Sequence, residues 1–434
     1  MRPADTGDSG IDSLGTPGCA LAIVSAGRIV YSRGYGMADI EQGVPISPRS
    51  VFYAGSVSKQ FVAACVLLLR EQGRIDLEAD VRAYIPELPD YGQPITVRHL
   101  IHHSSGLRDY LDLWLLSGRD YLNYMEDEAV LEMILRQREL NFRPGTRYAY
   151  SNSGYFLLKE IIERVSGQSL RAFAHEHIFE VLGMDRSHFH DDLHHLIPER
   201  AESYRLDARG RPENLAMRFD LVGSGGLYTT VEDLFLWDQN FYANRLGAGS
   251  QAFIDTLQQP GRLEDGSSPG YAFAMWAGTY RGLRTYSHTG SMGGYRAYYL
   301  RLPEQAFSLI LLGNFAQFRP VDYAERIVDL VWAPTGSKAA ADSPARPEAQ
   351  PIVFSASLLR EAPGNYYSPE LDARARVYRE GEDLFLRIAY AEPIRLNTWL
   401  VQAEGNQFAW EPEEGGFLLG RGGLKNIRFE RVAD

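Results

Sequence analysis

Hydrophobic and polar residues alternate near the beginning of the chain. The stretch "PGCALAIVSAGRIVYSRGYG", residues 17–36, has apolar residues at alternate positions on both sides of Ala26-Gly27. A period of two on either side of a glycine turn is typical of a β-hairpin. We therefore predict two antiparallel strands here.

The apolar spacing changes after this hairpin. Residues 50 to about 190 are mostly helical in period, and "KQFVAACVLLLREQG", which ends at Gly73, is apolar on nearly every side, as in a buried helix. Residues 271–314 return to strand patterns in "YAFAMWAGTY", "YRAYYLRL" and "AFSLILLGNF", and "VDYAERIVDLVW" then has the spacing of an amphipathic helix. We predict one α+β domain with sheet strands from both ends of this region and helices between them.

A change of composition follows this region. Residues 334–351, "PTGSKAAADSPARPEAQP", have no apolar period and are rich in Pro, Ala and Ser, which favours a linker. Short alternating segments separated by turn residues over 364–431 predict a small antiparallel, lipocalin-like β-barrel. The predicted domains are 1–333 and 352–434, and we expect the first to fold without the second.

Composition narrows the classes of partner. The hydrophobic fraction is 45%, and the net charge of −12 argues against a nucleic-acid partner. The apolar run Phe61–Leu69 is too short to cross a bilayer, so no membrane span is predicted. The first residues contain no apolar leader, which predicts a cytoplasmic protein, or a periplasmic one if a leader has been removed. Cys19 and Cys65 lie in apolar stretches and are interpreted as core residues. The sequence is also compatible with a homo-oligomer.

Ser56 and Lys59 stand at the beginning of the predicted buried helix. Residues three apart share a helix face, so the lysine lies within reach of the serine hydroxyl. The chain has 40 arginines and only four lysines, and lysine can lose its proton where arginine cannot. This pattern indicates a nucleophile and its base. The alternative is that Ser56 caps the helix and Lys59 is solvated.

Two further stretches carry candidate chemistry. "FRPGTRYAYSNSGYFLLKEII" places Tyr150, Ser151 and Asn152 in a loop before a helix, and "RTYSHTGSMGG" places His288-Thr289-Gly290 at the end of a strand. Each pattern is common by itself, because tyrosine is usually a core or rim residue and His-Thr-Gly is usually a turn.

In this order, S-x-x-K, Y-x-N and H-T-G resemble the motifs of the serine β-lactamase and penicillin-binding-protein superfamily. The sequence is most similar to the class C β-lactamase-like branch, which includes D-amino-acid peptidases and esterases. The stretches "ITVRHLIHHSSGLRDY", "LGMDRSHF" and "GSGGLYTTVEDLFLW" also resemble that branch. The resemblance covers about residues 17–333 and implies a β-lactamase/transpeptidase-like fold.

The resemblance implies a role for each motif residue. Ser56 would be the nucleophile that forms an acyl-enzyme, and Lys59 and Tyr150 would share the general acid and base work. Asn152 would bind the acyl-side amide of the substrate. The backbone N–H groups of Ser56 and Ser291 would hold the oxyanion. No cofactor and no metal are implied.

His288, Thr289 and Gly290 would contact the substrate. Penicillin-type members carry lysine at the position of His288, where it binds a substrate carboxylate, whereas histidine at the rim of a site would be charged only at mildly acidic pH. D-amino-acid peptides, D-amides or short-chain esters therefore fit better than penicillins, with weak β-lactam hydrolysis as a further option. The alternative function is a non-catalytic peptidoglycan-binding, ligand-binding or scaffold protein of the same fold.

Three other patterns have an ordinary interpretation. The histidines and aspartates of 188–195 resemble metal ligands, but their polar neighbours favour a solvated loop. Residues 266–270 match G-x-S-x-G, which functions between a strand and a helix, and here a strand pattern follows it. His102 and His103 are expected to serve packing and loop hydrogen bonds.

Overall fold

The computed structural model describes residues 15–120, 122, 124–332, 360–381, 383–389, 394–395, 408–413, 416–421 and 424–432. These residues form two compact units. The first unit contains the described residues up to Leu77, then Leu158–Arg262, and those from Gly266 to 332. The second contains Glu78–Leu157, Leu263–Asp265 and the described residues from 360 onward.

Helices are concentrated between residues 59 and 257. In chain order they are α1 (Lys59–Glu71), α2 (Val97–Ile101), α3 (Tyr110–Leu116), α4 (Asp127–Leu135), α5 (Asn152–Ser166), α6 (Leu170–Ala174), α7 (Glu180–Leu182), α8 (Val231–Asn240), α9 (Gln251–Leu257) and α10 (Pro320–Val331). No helix among the described residues is both long enough and apolar enough to cross a membrane.

Strands lie mainly at the two ends of the chain. Those up to residue 313 are β1 (Cys19–Ser25), β2 (Arg28–Tyr35), β3 (Met37–Asp39), β4 (Val44–Pro45), β5 (Phe52–Tyr53), β6 (His188–Phe189), β7 (Tyr204–Leu206), β8 (Pro212–Asn214), β9 (Leu227–Thr229), β10 (Trp276–Tyr280), β11 (Leu283–Met292), β12 (Tyr295–Leu302) and β13 (Phe307–Gly313). Those after residue 360 are β14 (Gly364–Ser368), β15 (Ala373–Glu380), β16 (Asp383–Ile388), β17 (Ile394–Arg395), β18 (Phe408–Glu413), β19 (Gly416–Arg421) and β20 (Leu424–Val432).

The main sheet of the first unit has the antiparallel order β10-β11-β12-β13-β1-β2. Strand β13 is buried along its whole length because helices cover both of its faces. Ser308 on one face donates to Asp238 of α8, while Leu309 on the other face packs with Ala324 and Val328 of α10. Strands from both ends of this region therefore share one sheet, as the sequence predicts.

The predicted hairpin is confirmed, with β1 and β2 joined at Ala26-Gly27. The stretch "YAFAMWAGTY" is a strand only from Trp276 onward. Its first part is irregular, and Tyr271 is buried there in a side-chain contact with His288.

A small three-stranded sheet, in the order β5-β9-β6, stands beside the nucleophile candidate. Strand β5 ends at Tyr53, three residues before Ser56. The Tyr53 hydroxyl accepts from the Gly226 N–H at 3.0 Å, which ties the turn before β9 to β5. This sheet therefore fixes the segment from which Ser56 projects.

The second unit contains α2, α3 and α4 and a seven-stranded sheet with the strand order β17-β16-β15-β14-β20-β19-β18. In β15, Ala373, Ala375 and Val377 are buried while Arg374 and Arg376 are exposed, which confirms the predicted alternation. The first and last strands of this region, β14 and β20, pair with each other, as in a curled half-barrel. Among the described strands β17 and β18 are the edges, so a closed barrel is not confirmed. The predicted linker, 334–351, lies outside the described residues, and the predicted domain bounds stay a prediction.

Candidate active site

Ser56 lies in a single 3-10 turn, Gly55–Ser58, that leads directly into α1. The Lys59 Nζ donates to Ser56 Oγ at 3.1 Å and to the Ser224 carbonyl oxygen at 2.5 Å. Lys59 is 0% exposed, whereas Ser56 is half-buried. The N-cap of the turn is Ala54, so the alternative of a capping Ser56 and a solvated Lys59 is wrong. A buried amine in contact with a hydroxyl is suited to exchange a proton with it.

A second serine on the same turn has a purely structural set of contacts. The Ser58 hydroxyl donates to the Gly55 carbonyl oxygen and accepts from the Leu227 N–H at 3.1 Å. Ser58 is 0% exposed. It therefore fixes the turn to β9.

Strand β11 passes this turn at backbone-to-backbone distance. A Cβ on Gly290 would lie 1.9 Å from the Ala54 carbonyl oxygen, and a Cβ on Gly55, whose φ is +55°, would lie 2.4 Å from the Ser291 nitrogen. Both positions therefore require glycine. This close approach places the backbone nitrogen of Ser291 beside the turn that contains Ser56. The predicted oxyanion hole, built from the N–H groups of Ser56 and Ser291, would need this placement.

His288 is 3% exposed and does not lie at a rim, so the expected rim position is wrong. Its Nδ1 donates to the Thr289 carbonyl oxygen at 2.6 Å, and its Nε2 accepts from the Tyr271 hydroxyl at 2.9 Å. Burial, and then the charge of Lys59, lower the pKa of His288 to about 3. The imidazole is therefore neutral at physiological pH and carries no charge for a substrate carboxylate. Thr289, next on the strand, is exposed.

Tyr150 belongs to the second unit and is half-buried in the loop before α5. The ring of His103 lies 4.1 Å from the Tyr150 ring, between centroids. The His103 Nδ1 accepts from the Ser151 N–H at 3.1 Å, and its carbonyl oxygen accepts from the Ala149 N–H at 2.9 Å. His103 thus holds the residues on both sides of Tyr150, which confirms the expected loop hydrogen bonds and makes it a positioning residue.

Asn152 is the first residue of α5, and Asp109 holds it. The Asp109 Oδ2 accepts from the Asn152 backbone N–H at 2.5 Å and from its Nδ2 at 2.8 Å. The other oxygen, Oδ1, caps α3 by accepting from the Leu111 N–H at 2.8 Å. Asp109 therefore orients the Asn152 amide, for which the family resemblance implies a role in substrate binding.

The predicted residues fall into two groups. In the first unit the structure brings together Ser56, Lys59, His288, Gly290 and Ser291. In the second unit Tyr150 lies in the loop before α5, and Asn152 is the first residue of that helix. The sequence interpretation missed Ser224 and Asp109, whose stretches it used only to support the family resemblance.

The expected solvated loop at 188–195 is wrong for two of its four histidines, because His188 is half-buried in β6 and His190 is buried, whereas His194 and His195 are exposed. His188, His190 and His195 have centroids 5.2 to 6.2 Å apart. Over the part of the chain that the structure describes, no group of three or more His, Cys, Asp or Glu is arranged to hold a metal ion. Residues 266–270 lie in a loop before β10, which is not the strand-turn-helix setting of a nucleophile elbow.

A family model described as Beta-lactamase matches residues 6–331, three quarters of the chain. The chain belongs to the Beta-lactamase family. The order Ser56–Lys59, Tyr150–Asn152, His288–Gly290 is the motif order that the resemblance predicts.

Two curated relatives illustrate where this Beta-lactamase family member lies. It is 25% identical over 348 residues to a D-aminopeptidase of Gluconobacter oxydans (strain 621H), covering 80% of this chain and 64% of that protein. It is 29% identical over 394 residues to a penicillin-binding protein of Bacillus subtilis (strain 168), covering 86% of this chain and 84% of that protein. The chain thus spans less than two thirds of the length of the Gluconobacter enzyme.

Solved structures share the fold. The octameric penicillin-binding protein homologue from Pyrococcus abyssi superposes with a TM-score of 0.67 at 24% identity, covering 96% of this chain and 93% of that chain. D-amino acid amidase from Ochrobactrum anthropi SV3 gives a TM-score of 0.62 at 19% identity over 72% of this chain and 93% of that chain. At these identities the likeness concerns the fold alone.

Because His288 is buried, a lysine at this position is not expected to improve the binding of substrates that carry a carboxylate. We expect His288→Lys to lower the free energy of unfolding by about 3 kcal/mol, because it places a second ammonium group near the buried Lys59. Activity should fall for all substrates, with no gain for those that carry a carboxylate. Urea unfolding and kcat/KM for a neutral and an anionic ester measure both effects.

The matched control is His194→Lys at an exposed position of the loop, where the expected change stays within about 0.5 kcal/mol. If His288→Lys left the stability unchanged and cleaved the anionic ester faster, this prediction would be wrong and position 288 would contribute to carboxylate recognition.

The contacts of His103 predict an effect on turnover. We expect His103→Ala to lower kcat about tenfold, because the Ser151 N–H loses its acceptor and Tyr150 loses the tilted ring that packs against it. His103→Asn should lose less, since asparagine tolerates the φ of +55° at this position and offers an acceptor oxygen. Steady-state kinetics of both variants provide the measurement. Equal losses in the two would mean that the acceptor has no part in positioning Tyr150.

Proposed function

We propose that this protein is a serine hydrolase that forms an acyl-enzyme on Ser56 and cleaves amide or ester bonds of small substrates. The observation that carries the proposal is the fully buried Lys59, whose Nζ contacts the half-buried Ser56 hydroxyl at 3.1 Å. A lysine that served only solubility would be exposed. Membership of the Beta-lactamase family supports the same assignment.

In the proposed reaction Ser56 Oγ attacks the carbonyl carbon of the substrate while its one proton passes to the general base, a role that Lys59 and Tyr150 would share. The N–H groups of Ser56 and Ser291 stabilise the oxyanion of the tetrahedral intermediate. Its collapse breaks the bond to the leaving amine or alcohol, which takes up the proton, and leaves the acyl group on Ser56. Water then attacks the acyl-enzyme and gives one proton to the same base. The bond between the acyl carbon and Ser56 Oγ breaks, the base returns the proton to Oγ, and the acid is released.

Within this class we propose D-aminoacyl amides, D-amino-acid peptides and short-chain esters as substrates. The names of the D-aminopeptidase and D-amino acid amidase relatives support this choice. The neutral, buried His288 supports it independently, because it offers no cation for the carboxylate of a penicillin or of a peptide C-terminus. Hydrolysis of β-lactams is expected to be weak.

The test is a panel in which each D-aminoacyl p-nitroanilide is paired with its L-enantiomer, beside p-nitrophenyl esters and nitrocefin. We expect faster turnover of the D-compounds and of esters than of nitrocefin. Labelling of Ser56 by a fluorophosphonate, located by mass spectrometry, tests the nucleophile without assuming a substrate. An unlabelled, inactive protein would instead favour the non-catalytic binding function.

We also propose that the protein is a homo-oligomer. The octameric state named for the Pyrococcus abyssi homologue supports this, at an identity that otherwise shows only a shared fold. Light scattering coupled to size-exclusion chromatography tests it, and a single monomeric mass would refute it.

A further inference from the structure

A turn of the C-terminal sheet inserts a buried carboxylate into the second unit. Glu370, between β14 and β15, pairs with Arg108 at 2.5 Å, and the two side chains are 6% and 1% exposed. The same guanidinium donates to Gln137 Oε1 at 3.0 Å and to the Asn426 carbonyl oxygen of β20 at 3.2 Å. Two segments of the C-terminal sheet, the β14–β15 turn and strand β20, thus provide acceptors for the Arg108 guanidinium.

The Glu370 carboxylate is itself tied to the helical part of the unit. Its Oε1 accepts from the Arg138 N–H at 3.0 Å, and its backbone carbonyl oxygen accepts from Gln137 Nε2 at 3.1 Å. A second close approach occurs at Gly118, where a Cβ would lie 2.6 Å from the Ile388 carbonyl oxygen. The sheet is therefore built into this unit.

The backbone of Arg108 is hydrogen-bonded to the first turn of α5, which directly follows the Tyr150 loop. The Arg108 carbonyl oxygen accepts from the Ser153 hydroxyl at 2.6 Å, and that hydroxyl accepts from the Tyr110 N–H at 2.8 Å. The next residue, Asp109, holds both the backbone and the side-chain nitrogen of Asn152. Arg108 is thus hydrogen-bonded to Ser153, and Asp109 is hydrogen-bonded to Asn152.

We propose that the C-terminal sheet positions Asn152, and with it the Tyr150 loop, through Glu370 and Arg108. The proposal rests on the proposed function in so far as Asn152 binds substrate there. Without the carboxylate of Glu370 the guanidinium is left buried and incompletely paired, and it must move to regain solvent or a new acceptor. Any such movement displaces residues 108 and 109, and therefore the contacts that orient Asn152.

This arrangement bears on an expectation from the sequence, namely that the hydrolase domain folds without the barrel, which stays a prediction. A chain that ends near residue 335 would lack both Glu370 and Asn426, and would therefore remove two acceptors of the Arg108 guanidinium. The sheet then contributes to the geometry of the loop as well as to its stability.

A double-mutant cycle separates positioning from general stabilisation. The four proteins are wild type, Glu370→Gln, Asn152→Ala and the double variant, each assayed for kcat and KM with the best neutral ester. Asp372→Asn is the matched control, since Asp372 lies in the same turn and pairs with Tyr367 at an exposed position. Arg108→Lys is the second route to the same perturbation if Glu370→Gln folds poorly.

We expect Glu370→Gln to lower kcat/KM about tenfold in the wild-type background, and less than twofold where Asn152 is already alanine. Asp372→Asn should leave kcat/KM unchanged. Hydrogen exchange of the Asn152 amide, followed in peptides that cover residues 148–157, should be faster in Glu370→Gln than in the control.

Equal effects of Glu370→Gln in both backgrounds, or unchanged exchange at Asn152, would overturn the proposal. The exchange measurement needs no turnover, so it decides the proposal even if no substrate is cleaved. The proposed function fails by a different result, namely a Ser56 that reacts with no fluorophosphonate.

Discussion

Ser56→Ala is expected to lower kcat by about four orders of magnitude or more and to leave the fold intact. The lost hydroxyl is the proposed nucleophile, and its contact is with Lys59, so no buried backbone group loses a partner. Turnover of the best D-aminoacyl or ester substrate and the midpoint of urea unfolding measure the two effects.

Ser58→Ala is the matched control, because it removes the same group two residues away on the same turn. The Leu227 N–H then loses its acceptor in a fully buried position, which should lower the free energy of unfolding by about 1–3 kcal/mol. We expect this variant to keep measurable activity. If Ser56→Ala retained more than a trace of turnover, the nucleophile would have to be sought elsewhere.

Lys59→Arg is expected to be nearly as inactive as Ser56→Ala although it preserves the positive charge. A guanidinium does not give up its proton in a protein, so it cannot relay the proton of the Ser56 hydroxyl. Its fork is also too large to replace an ammonium that contacts Ser56 and Ser224 within a fully buried space. Steady-state kinetics and the rate of fluorophosphonate labelling provide the measurement.

Lys159→Arg supplies the control for this substitution. Lys159 is also buried, at 4% exposure, but its Nζ pairs with Glu160 at 3.0 Å and Glu163 at 3.1 Å. Arginine can serve such carboxylates, so we expect nearly normal kcat and a small change in unfolding midpoint. Normal turnover by Lys59→Arg would reduce Lys59 to a structural cation and leave proton transfer to other groups.

Local patterns predict the parts of this protein that depend on neighbouring residues. The β1–β2 hairpin follows from alternation around Ala26-Gly27, and α1 from an apolar run that ends before Gly73. The contact of Lys59 with Ser56 also follows, because residues three apart share one helix face. The order of the motifs was sufficient to predict the family.

The tertiary structure decided what depends on residues far apart in the chain. The sequence around His288 does not distinguish a histidine at the rim of a site from one in the core. Its lowered pKa comes from burial and from the charge of Lys59, 229 positions earlier in the chain. Arg108 and Glu370 are separated by 262 residues, so no local period relates them. A sequence pattern reports the periodicity of one segment, whereas burial and pairing depend on which other segments pack against it. The contact of Lys59 with Ser56 could therefore be predicted from the sequence, but the burial of His288 and the contacts that hold Asn152 could not.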